Sequence, residues 1–143
     1  MLVRDLMVPT VLTVSPGDAV SDVDRAMRET SDSAAVVTEN ETVVGLLTEK
    51  ELAQTSNDAV VSEVMFADCA LIKPGDTLAE AARTMIEKNQ RFIPAVDGGM
   101  LVGILSLTDI RRWARSGGQS EKDEVQKILT MSVGDYESQG PRT

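Results

Sequence analysis

The chain has 143 residues, 42% of them hydrophobic and 26% charged, with a formal net charge of −9. This is the usage of an ordinary globular domain, long enough to bury a core without disulfide staples. With no histidine and a single cysteine, Cys69, it lacks a histidine base, a Ser-His-Asp triad and any cysteine cluster for metal, and that cysteine usage fits a reducing cytoplasm. An acidic chain with 3% aromatics also lacks the cationic field and stacking rings of a nucleic-acid binder.

The N-terminal stretch MLVRDLMVPT interrupts its apolar residues with charge and proline, so neither a secretory signal nor a membrane span is expected. Val11 to Val14 reads as a short extended run, the Pro16-Gly17-Asp18 turn follows, and Asp18 is expected to cap a helix that buries Val20, Val23, Ala26 and Met27. Ala34 to Thr38 and Thr42 to Leu47 form a hairpin across Glu39-Asn40-Glu41, and a second helix starts after Thr48.

The order then repeats at an offset of 58 residues. Cys69 to Ile72 is extended, Pro74-Gly75-Asp76 turns, and Asp76 caps a helix burying Leu78, Ala81, Ala82, Met85 and Ile86. Phe92 to Val96 pairs with Met100 to Leu105 across Asp97-Gly98-Gly99, and a last helix follows Ser106. Eleven of fifty aligned positions are identical without a gap, concentrated in the Pro-Gly-Asp turn and the Val-Gly-x-Leu strand, where backbone geometry is restrictive. One such unit buries too little apolar surface to stand alone, so the copies are expected to share a core. After Ser116 a glycine-containing turn precedes charged residues, where Val125, Ile128 and Leu129 allow one short amphipathic helix. Trp113, with Met131 and Tyr136 beyond it, is read as packing between chains, and the final ESQGPRT as disordered.

Two four-residue motifs carry the functional question. Ser106-Leu107-Thr108-Asp109 and Thr48-Glu49-Lys50-Glu51 each fit a capping box, in which the hydroxyl bonds forward to the third amide and the acid reaches back. The same atoms suit a ligand: a carboxylate at a helix mouth accepts two bonds from a ribose diol, and a hydroxyl beside unpaired amides holds a phosphate. Arg111, Arg112 and Arg115 either complement the helix dipole of the last helix or meet a polyphosphate.

In order and twice over, these features resemble the cystathionine-β-synthase (CBS) domain pair, over residues 1 to 116. The features are Val-x-x-Val-Met or its like at the head of each copy, Pro-Gly-Asp, Arg91-Phe92-Ile93-Pro94, and Gly103 to Asp109. The resemblance implies an α/β (α+β) fold of tandem β-α-β-β-α repeats packed as a pseudo-two-fold pair: repeat 1 over 1–57, repeat 2 over 58–116, and a charged tail over 117–143. It implies a stand-alone cytoplasmic sensor, not an enzyme, that binds AMP, ADP, ATP or a related adenosyl compound, needs no catalytic cofactor or metal, and forms a homodimer able to act on an unidentified partner protein. The alternative is a ligand-free dimerising scaffold.

By the same resemblance, one cleft uses Asp109 for the ribose, Ser106 for the phosphate, Leu12, Asp32, Ser33 and Ala34 around the adenine, and Ile104 and Thr108 on its flanks. Arg91 either meets the phosphate or is a solvated surface charge. A second cleft draws on Thr48 and Glu51, with Ala70, Gln90, Arg91 and Phe92. Glutamate there adds a methylene that displaces the carboxylate by about 1.5 Å, so this cleft is expected to be weak or vacant.

Overall fold

The computed structural model describes residues 1–56, 58–116 and 122–130. Short helix α1 (Val3–Leu6) leads into β1 (Thr13–Val14), α2 (Val20–Thr30), the hairpin β2 (Ala34–Glu39) and β3 (Thr42–Thr48), and α3 (Glu49–Ala53). The second copy runs α4 (Val61–Val64), α5 (Leu78–Lys88), the hairpin β4 (Phe92–Asp97) and β5 (Met100–Ser106), and α6 (Leu107–Arg115). A last helix, α7, covers 122–130.

In the first copy β1 lies parallel to β2, which pairs antiparallel with β3. The second hairpin repeats this register, with a bulge at Ala95/Val96 matching that at Val37/Thr38. The extended run expected at Cys69 to Ile72 contributes only one parallel bridge, Ile72 to Ala95. Both hairpin turns need positive φ at two successive residues; Gly98 and Gly99 supply it in the second copy, and Asn40 and Glu41 adopt it in the first.

Helix starts differ from the sequence expectation. Asp18 and Asp76 do not cap helices: their Oδ2 atoms accept from the Ser15 and Lys73 amides at 2.9 and 3.1 Å, which closes the Pro-Gly-Asp turns. The N-cap residues are Ala19 and Thr77. Thr77 and Glu80 form a full capping box. Ala19 has no side chain to offer, and the Val20 amide donates instead to the Ala59 carbonyl at 3.0 Å.

That last bond belongs to a reciprocal exchange. The segment heading the first copy packs on the second: the Val3 and Arg4 amides donate to the Asp76 and Pro74 carbonyls, and Val8 exchanges two bonds with Ile104 at 2.9 and 3.0 Å. The segment heading the second copy packs on the first, through Val61 to Asp18, Ser62 to Pro16 and the Phe66–Leu46 pair. Val3 and Val61 are fully buried in the core of the opposite copy. Each contributes about 1.5–3 kcal/mol by leaving water, which ties the copies together.

Between these two cores lies a third, in which Ala34, Val36 and Leu46 meet Cys69, Phe92, Leu101 and Ile104. This is the shared core of the pair. Met27 and Met85 are buried as expected, while Ala26 and Ile86 are only half-buried. Helix α7 buries Val125, Ile128 and Leu129 against the second copy, and Gln126 donates to the Ala114 carbonyl at 2.7 Å. Trp113 packs within its own chain against that core, with Lys122 Nζ 5.6 Å from its ring centroid. Met131, Tyr136 and the ESQGPRT tail lie outside the described residues.

Candidate functional site

Because β5 runs directly into α6, Ser106 is both the last strand residue and the helix cap, its Oγ accepting from the Asp109 amide at 3.0 Å. One turn on, Asp109 stands beside it on the same helix face. Its carboxylate does not complete a capping box; Oδ1 accepts from Arg112 Nη1 at 3.1 Å. The Arg112 side chain is 74% exposed, so this pair is weak and easily exchanged.

Asp109 and Ser106 line a cavity of about 180 Å³ together with Leu12, Asp32, Ser33, Ala34 and Ile104. Seven of the nine residues expected at the first cleft are thus brought together. Arg91 and Thr108 are not: both line a neighbouring cavity. Thr108 sits about 100° around α6 from Asp109, which turns it to the other side. Phe92, expected at the second cleft, completes the wall with Val8, Thr10, Val11 and Ser31, which escaped the sequence reading. Val8 arrives through the exchanged segment, a long-range contact with no local signature. Asp32 Oδ2 accepts from Thr30 Oγ1 at 2.6 Å, while the Leu12 carbonyl accepts from the Val36 amide at 2.9 Å.

The neighbouring cavity, of about 840 Å³, is lined by Thr48, Glu51, Gln90, Arg91, Phe92 and Thr108 together with Lys50 and Lys88, which the sequence reading also missed. Lys50 has one signal: the 58-residue offset makes it the equivalent of Thr108. Here the capping box is complete. Glu51 Oε1 accepts from the Thr48 amide at 2.7 Å and from the Thr48 hydroxyl. The carboxylate is not merely displaced: it turns back onto its own cap, a bond that Asp5 also makes, to the Leu2 amide at 2.9 Å.

Ala70 does not line this cavity, and its backbone is engaged by Gln90. That side chain is 3% exposed; its Oε1 accepts from the Ala70 amide at 2.9 Å, and its Nε2 donates to the Ala70 and Phe92 carbonyls at 3.0 and 2.9 Å. A third cavity, of about 550 Å³, belongs to the first copy alone and lies between α2 and α3, with Val20, Met27 and Leu52 in its wall. Arg111, Arg112 and Arg115 line none of the three. Among the described residues, no helix is long and apolar enough to cross a membrane.

The family model for the CBS domain matches this chain twice, over residues 3–58 and 61–116. A CBS domain-containing protein of Bacillus subtilis, YhcV, is 31% identical over 114 residues, which are 76% of this chain and 81% of that protein. The crystal structure of a CBS domain protein, NE2398, superposes with a TM-score of 0.75 at 27% identity, covering 80% of this chain and 98% of the other. The crystal structure of CBSX2 in complex with AMP superposes with a TM-score of 0.70 at 26% identity, covering 80% of this chain and 96% of that one. Some curated relatives are longer, and the chain spans 40% and 23% of two of them.

Proposed function

The chain belongs to the CBS domain family, with two copies of the domain, and we propose that it is a regulatory module whose cleft at Asp109 binds an adenosine nucleotide. The observation that carries this reading is the state of the Asp109 carboxylate. It faces a cavity between the repeats and, among the described residues, is engaged only by an exposed arginine, so a ribose diol can replace that partner with two charge-assisted bonds. The Ser106 hydroxyl at the head of the nine-residue α6 offers the adjoining anion contact, the Leu107 and Asp109 amides being engaged by the Arg91 carbonyl and Ser106 Oγ. The AMP-bound CBSX2 structure supports the ligand class by likeness.

Leu12, Ala34 and Ile104 supply apolar walls for a base. Because the cavity is built from both repeats, ligand binding changes the stability of their contact, and a ligand that prefers one arrangement a hundredfold biases it by about 2.7 kcal/mol. Homodimerisation offers a route for that bias to reach a partner protein. Turnover is not expected, because the chain has no histidine, no cysteine pair and no Gly-Lys-Ser phosphate loop.

Calorimetry with AMP, ADP, ATP, S-adenosylmethionine and NAD, on the wild type and on Asp109→Ala, tests the reading. Binding without turnover, lost in the variant, is the expected result; equal affinity in both proteins overturns the assignment. A second reading, a scaffold that binds no nucleotide, is favoured by the net charge of −9, which repels polyphosphates. It predicts no heat with any of these compounds.

A further inference from the structure

The cavity at Asp109, about 180 Å³, is smaller than the roughly 300–1,000 Å³ usual for a small-molecule pocket. A nucleoside end fills it, and the remainder of a nucleotide has to lie elsewhere. Ser33 and Phe92 line both this cavity and the one of about 840 Å³, so the two spaces adjoin. In the larger one the groups that would hold a second nucleoside are engaged within the protein, the Glu51 carboxylate by Thr48 and the Ala70 backbone by Gln90.

What the larger cavity offers instead is cationic. Lys50, Lys88 and Arg91 line it, and none of them has a carboxylate within 4.0 Å among the described residues. Glu49 is the one acid in its wall besides the capped Glu51. Three cations against two acids line one space, so in a chain of net charge −9 the local sign runs against that of the whole molecule and favours an anion there.

Building on the nucleotide reading of Asp109, we infer that a single ligand lies across both cavities: its adenosyl end at Asp109 and a tail of two or more phosphates at Lys50, Lys88 and Arg91. The second cavity is then a phosphate annex and not a second nucleoside site. This commits the protein to one ligand per chain and to ADP or ATP over AMP. It also gives Lys50 and Lys88 a role as specificity-determining residues.

Calorimetric titration of the full chain at fixed salt with adenosine, AMP, ADP, ATP and inorganic tripolyphosphate tests this. One equivalent per chain is expected, with affinity rising about tenfold or more from AMP to ATP as charge-assisted bonds are added. The triple variant Lys50→Met, Lys88→Met, Arg91→Met should bind adenosine as the wild type does but lose the gain from phosphates. All three side chains are exposed, so the fold should survive, and circular dichroism checks this. Added salt provides a measure free of mutation: it should weaken ATP binding and leave adenosine unaffected.

Two equivalents per chain, or equal affinities for AMP and ATP, would overturn the annex while leaving the Asp109 cleft standing. Binding of tripolyphosphate without adenosine, or of nothing at all, would overturn the nucleotide reading itself and the bridging ligand with it.

Discussion

Glu51 closes on Thr48, its Oε1 accepting from the Thr48 amide at 2.7 Å, whereas Asp109 at the equivalent place in the second copy leaves the Ser106 amide alone. One methylene separates the two acids, and their carboxylates have different partners. The Glu51 side chain reaches back to finish a cap, while Asp109 pairs with Arg112 and faces the cavity between the repeats. An aspartate can span the same three residues, as Asp5 does to the Leu2 amide at 2.9 Å.

Replacing these acids should therefore give opposite outcomes. Glu51→Ala should cost about 1 kcal/mol of stability through the lost cap and leave nucleotide affinity unchanged. Asp109→Ala should cost only about half a kcal/mol, from the exposed Arg112 pair and the helix dipole, yet weaken nucleotide binding about tenfold or more. Chemical denaturation paired with calorimetry separates the two effects, and equal stability losses would contradict the division.

The exchanged segments press on two equivalent glycines in different ways. The three atoms nearest a Cβ at Gly45 all belong to the Met65 side chain, its sulfur at 2.6 Å, while those nearest one at Gly103 include the Val8 carbonyl oxygen at 3.0 Å. A methionine can swing aside and a backbone carbonyl bonded to Ile104 cannot. Gly103→Ala should lose about 1–3 kcal/mol, and Gly45→Ala clearly less, in thermal melts.

Gln90 should be a stability residue and not a ligand contact. Gln90→Leu strands the half-buried amide and carbonyl of Ala70, at a cost of about 1–3 kcal/mol. A denaturation midpoint close to the wild type would show that water reaches Ala70 after all.

Burial pushes the Cys69 thiol above its ordinary range, opposed in part by a backbone hydrogen bond and reinforced slightly by the charge of Asp68. A raised pKa in the folded state means that the neutral thiol is favoured by folding. This stabilisation is complete below the usual thiol range and is lost as pH rises through the shifted value. Alkylation by iodoacetamide should be slow at neutral pH in the native protein and rapid once urea unfolds it; equal rates would place the thiol in solvent.

The duplication, both hairpins, the two long helices and the caps at Thr48 and Ser106 are all legible in the chain, because each depends on residues a few positions apart: turn geometry, strand alternation and helical spacing. The helix caps at Ala19 and Thr77 are the local exception. An aspartate after Pro-Gly suits a turn as well as a helix start, and only the fold shows that Asp18 and Asp76 turn back to Ser15 and Lys73. The side of α6 that Thr108 faces, and the cavity that receives Arg91, followed from angles about an axis whose neighbours were not yet known.

By itself the sequence determined that two copies of one α/β unit exist and that each ends in an acid at a helix mouth. Tertiary structure alone decided that each copy lends its opening segment to the other, which brings Val8 to the Asp109 cavity. It also decided that Gln90 fastens Ala70 and that three cations share one space. Periodicity records which face of an element is apolar, but not which element that face will meet. That choice is made by burying the shared core, through contacts between residues tens of positions apart.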